Sequence, residues 1–134
     1  MKQKFIYAVI EVIILVLVEL LGFTVLSQEY LFGWAAHNWI FYLVLGVAVL
    51  VLIFFKKVIV SVCMTAGITL GIFIGNFLGN VIKIYNESKI VESMTREEVY
   101  RLQHHPGFEI WMGTIFVSMV VGFFIHIISA KKRR

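Results

Sequence analysis

The stretch VIVSVCMTAGITLGIFIGNFLGNVIKIY, residues 58–85, decides the fold. It follows Lys56-Lys57 and is apolar along nearly all its length. At ~1.5 Å of helical rise per residue it can cross a hydrocarbon core of ~30 Å with some tilt. Two series run along it. Gly67, Gly71, Gly75 and Gly79 recur at every fourth position, the spacing that lets helix backbones approach closely in a membrane. Ser61, Thr65, Thr69, Asn76, Asn80 and Lys83 form a second series. At about 100° per residue these six fall within one stripe about 100° wide. A helix with a polar stripe and a glycine ridge does not stand alone in lipid, so this stretch predicts a bundle of membrane helices.

The rest of the chain agrees in composition. Of its 134 residues, 60% are hydrophobic, and the mean hydropathy is +0.93; soluble domains hold roughly 45–50% apolar residues. One cysteine, Cys63, excludes an intramolecular disulfide and a cysteine-based zinc site. The net charge of +4 does not point to nucleic acid, because the basic residues stand at the ends of apolar runs and not on one face.

Residues 5–26 form an earlier apolar run after Lys2 and Lys4. It is longer than the 7–15 residues of a signal-peptide core, contains Glu11 and Glu19, and precedes no small-x-small cleavage site, so it reads as a retained span. Residues 27–38 read as a short loop. Residues 39–55 make a second span, almost free of polar groups and therefore expected to face lipid. Residues 58–85 are the third and 108–129 the fourth, joined by an outer segment over 86–107. There Thr95 and Glu98 form a capping-box pattern that starts a short amphipathic helix near Arg96. The expected fold is thus all-α: one domain of four transmembrane helices with a surface helix between the third and fourth.

Charge sets the expected orientation. With the N-terminus in the cytoplasm, Lys2, Lys4, Lys56, Lys57 and the run Lys131 to Arg134 are inside without any acid. The acidic residues outside the spans fall on the other side, which is the positive-inside pattern. Trp34, Trp39 and Trp111 would then stand at the outer interface. The expected location is the plasma or cytoplasmic membrane, with both termini cytoplasmic.

Glu11 and Glu19 sit within the first span, about 80° apart around the helix. Carboxylates at such depth are costly and often functional. The expected arrangement sets them against the stripe of the third span: Thr65, Thr69, Asn76 and Asn80, with Lys83 near the outer end. In one reading these groups line a path for a proton, cation or small solute. In the other they only anchor helices to each other. Glu109, Ser118 and His126 are weaker candidates in the fourth span. Gly67, Gly71, Gly75 and Gly79 are read as a packing ridge. No catalytic set, cofactor motif or metal site is evident. The sequence therefore points to a small channel or transporter, associated with copies of itself or a larger membrane complex. The rival is an accessory, assembly or immunity-type subunit docking through the glycine helix.

Overall fold

The computed structural model describes residues 1–134 and is all-helical, without strands. Six helices follow in order: α1 (Lys2–Phe23), α2 (Tyr30–His37), α3 (Trp39–Phe54), α4 (Val58–Glu87), α5 (Arg96–Leu102) and α6 (Gly107–Lys132). Three of them, α1, α4 and α6, are long and apolar enough to cross a membrane. Their outward faces carry exposed side chains such as Phe5, Leu17, Leu70, Val81, Phe116 and Phe124. That surface is compatible with lipid and not with water.

α4 and α6 are the main packed pair, and glycine sets their separation. A Cβ built on Gly67 would fall 2.7 Å from Ser118 Oγ, and one on Gly75 would fall 2.6 Å from the Gly107 carbonyl oxygen. One on Gly71 would meet Trp111 and Thr114 at 3.1 Å, and one on Gly79 would run into the His105 ring. The contact is reciprocal at the far end, where a Cβ on Gly122 would lie 3.0 Å from Val60 Cα. With no hydrophobic drive between helices in lipid, this close approach supplies the dispersion contacts that hold them.

The space freed by Gly71 and Gly75 admits Trp111. This indole is fully buried within the bundle, and its N–H donates to the Ile68 carbonyl at 2.9 Å. Around it Trp34, Phe41, Tyr42 and Phe108 form an aromatic cluster with centroids 4.9–6.5 Å apart.

One expectation is corrected between α1 and α3. Residues 27–38 are not simply a loop: they contain α2. Leu31, Phe32, Ala35 and Ala36 recur at helical spacing, and all four are buried. A wedge this apolar is stable only inside the bundle. Gly22 and Gly33 let it fold back on α1, with the Phe32 carbonyl 3.0 Å from a Cβ built at Gly22. The second expected span is also shorter than a full crossing. α3 has 16 residues, about 24 Å of helix, and bends from α2 by 84°. The chain therefore has three to four spanning helices, the fourth being the bent pair α2–α3. Nor is α3 wholly lipid-facing. Tyr42, Val49 and Ile53 are buried, and the Tyr42 hydroxyl donates to the Leu15 carbonyl of α1 at 2.7 Å.

The α3–α4 turn is tight because Lys56 adopts φ 62°. Its N–H donates to the Ile53 carbonyl and that of Lys57 to Leu52, the paired bonds of a Schellman motif. α5 starts at the capping box: Glu98 N–H donates to Thr95 Oγ1, and Thr95 N–H to Glu98 Oε2. Val99 and Leu102 are its half-buried residues.

Candidate functional site

Three polar features result. The first is Glu11, 3% exposed between α1 and α4. Its Oε2 accepts from Ser61 Oγ at 2.5 Å and from Thr65 Oγ1 at 3.0 Å. Ser61 and Thr65 are four residues apart on α4, so one carboxylate spans a full helical turn. Ser61 Oγ also lies 3.1 Å from the Val49 carbonyl of α3. One serine proton thus faces two acceptors. A protonated Glu11 would donate to Ser61 and leave the serine proton for Val49. The arrangement accommodates either form of the carboxyl group and ties three helices together.

The second feature is at the opposite end of α4, and its centre is a residue that sequence reasoning assigned only to a loop. Glu29 Oε2 accepts from Asn76 Nδ2 at 2.7 Å and Asn80 Nδ2 at 3.3 Å. Asn76 Oδ1 in turn accepts the Leu31 N–H, one of the free amides in the first turn of α2. Asn80 Oδ1 lies 2.7 Å from His105 Nε2, and the Gly107 N–H donates to His105 Nδ1 at 3.0 Å. These two bonds fix a neutral imidazole with its proton on Nε2. Burial, followed by the neighbouring Lys83 and His104, holds its pKa below the ordinary histidine value against the opposing pull of Glu109 and Glu29. Tyr30 stacks on the ring at 4.1 Å. The network joins the α1–α2 connection, α4 and the turn before α6. A signal for it was present: Asn76 and Asn80 lie one turn apart near the C-terminal end of α4, and Glu29 is the acid in the connection at that end.

The third feature is a groove of about 580 Å³ between α1 and α3. Glu19 lies in it, half-buried, among Leu15, Val16, Phe23, Trp39 and Leu43. Glu19 Oε1 is buried and has no hydrogen-bond partner; Glu11 Oε1 is in the same state but does not line this groove. The nearest hydroxyl in the groove wall, on Tyr42, is committed to Leu15.

The expected stripe is therefore divided. Ser61 and Thr65 meet Glu11, whereas Asn76 and Asn80 meet Glu29 and not Glu19. Thr69 donates back to the Thr65 carbonyl of its own helix at 2.9 Å. Lys83 pairs with Glu87 at 3.8 Å on the surface, and Glu109 lies 2.7 Å from His104, also exposed. Ser118 faces Gly67 in the α4–α6 contact. His126 Nε2 is 2.9 Å from Lys57 Nζ, where α4 begins and α6 ends. No protein-family model, curated protein or solved structure matches the chain.

Proposed function

We propose that the chain is a small four-span plasma-membrane protein, with both termini cytoplasmic, that carries a cation or cationic solute using Glu19. The observation that supports this reading is the Glu19 carboxylate, with an oxygen buried and unpartnered in an apolar groove. An uncompensated acceptor there is costly, and a positive ligand would relieve the cost. The orientation rests on the basic residues. Lys2, Lys4, the Lys56-Lys57 turn and the run from Lys131 gather at one end, where Lys57 reaches His126. The groove opens sideways, so a full path would be completed by a second copy or a larger membrane partner.

The second reading, an accessory or immunity-type subunit, is favoured by one observation. The Ser61 and Asn76 side chains are fully buried and hydrogen-bonded, as in a stripe that only fixes packing. Proteoliposomes separate the two. Wild-type protein should move protons, alkali cations or an organic cation above the empty-vesicle rate, Glu19→Gln should abolish this, and Glu11→Gln should retain it. Wild-type vesicles as tight as empty ones would leave the accessory reading. Undiminished flux in Glu19→Gln would remove Glu19 from the mechanism.

A further inference from the structure

We propose that the α1/α3 groove binds a lipophilic organic monocation entering from the lipid, with Glu19 as its counter-charge. This rests on the reading of Glu19 as the cation site and names the class of ligand. The volume of about 580 Å³ falls in the range of roughly 300–1,000 Å³ typical of small-molecule sites. Of its twelve lining residues ten are hydrophobic, and the other two are Glu19 and Gly46. The groove thus offers a single charge in an otherwise apolar wall.

That composition decides what kind of cation fits. A small metal ion needs several oxygen ligands to replace its water, and the groove supplies one carboxylate. A hydrated ion would have to keep its shell against Val16, Leu20, Leu43 and Val47, which offer it nothing. A cation that brings its own apolar coat meets both demands. Its hydrocarbon body covers the walls, and its charge stands against the Glu19 carboxylate, whose Oε1 no hydrogen-bond donor of this chain reaches. Trp39, about half exposed at the outer edge of the groove, adds an aromatic face suited to a cation. Gly46 forms an open part of the floor: a Cβ there would meet only Leu15 Cδ1, at 3.9 Å.

The test uses a shape-matched pair of opposite charge, tetraphenylphosphonium and tetraphenylborate, titrated into the full chain in nanodiscs with empty-disc partitioning subtracted. The phosphonium should bind saturably, and at least about tenfold more tightly than the borate, the ratio set by a charge contribution near 1.4 kcal/mol. Glu19→Gln should lose that preference. Gly46→Leu should weaken binding by filling the floor while Glu19 stays in place, and Glu11→Gln should bind as wild type; thermal melts confirm that each variant is folded. Equal binding of the two ions, or phosphonium binding unchanged in Glu19→Gln or Gly46→Leu, would overturn the proposal. So would efficient cross-linking between copies through a cysteine at Gly46, which would place a second copy in the groove. Glu19-dependent flux of protons or alkali cations without phosphonium capture overturns the ligand class and leaves the carrier reading standing. Absence of both overturns both.

Discussion

Gly75→Ala adds one methyl group at the tightest point between α4 and α6. Its Cβ would stand 2.6 Å from the Gly107 carbonyl oxygen, 3.0 Å from Leu31 Cδ2 and 3.3 Å from the Trp111 backbone nitrogen. Leu31 can turn aside, but the Gly107 carbonyl is backbone and cannot. Ordinary contact begins near 3.4 Å, so the start of α6 must move by about 0.8 Å. Trp111 lies one turn further along α6, and its indole bond to the Ile68 carbonyl is 2.9 Å long. The same displacement would carry that bond beyond hydrogen-bonding range. Overpacking costs ~1–3 kcal/mol and the lost bond ~1 kcal/mol, so the expected destabilisation is about 2–4 kcal/mol. Gly113→Ala is the control: it lies on α6, and a Cβ built there would meet no atom within 4 Å. It should be neutral or stabilising, since alanine is the better helix former by up to ~1 kcal/mol. Equilibrium unfolding in mixed micelles, followed by tryptophan fluorescence, measures both. If Gly75→Ala is as stable as Gly113→Ala, the close approach of α4 and α6 does not hold the bundle together.

Glu11→Gln should cost little stability, because the amide oxygen still accepts from Ser61 and Thr65, whereas Glu11→Leu should cost about 1–2 kcal/mol by stranding Thr65 and leaving Ser61 only the Val49 carbonyl. The same unfolding assay reads the difference, and a leucine variant as stable as glutamine would show that these bonds do not anchor α1. The network around His105 should weaken in acid. His105 is held neutral and its pKa lies below the ordinary value, so the unfolded chain binds the proton more readily than the folded one. Stability from this group is complete above about pH 6.5 and is lost as pH falls from there to the folded pKa. Melting temperature should drop over that interval. The drop should persist in His104→Gln, and it should disappear in His105→Gln, which keeps a donor and an acceptor but does not titrate. An unchanged pH profile in His105→Gln would assign the effect to Glu29, Lys83, His104 or Glu109, the other ionisable groups around the ring.

What the sequence determined is what depends on neighbours along the chain. The existence of α1, α4 and α6 follows from long, mainly apolar runs, which leave helix as the one way to satisfy the backbone in lipid. The start of α5 follows from Thr95 and Glu98, three residues apart and bonded as a capping box. The same kind of local reading overlooked α2, because a helix of eight residues is too short to be stable by itself and forms only where α1, α4 and α6 bury it. Partner choice was decided by the tertiary structure. The sequence of α1 leaves its rotation and its neighbours free, so Glu11 and Glu19 could both have faced α4. In the fold the rotation set by the Ser61, Thr65 and Tyr42 bonds turns Glu11 to α4 and Glu19 to α3. Glu29 then takes Asn76 and Asn80, because hydrogen bonds in a bundle form between groups at the same depth on adjoining faces, and adjacency exists only once the helices are packed.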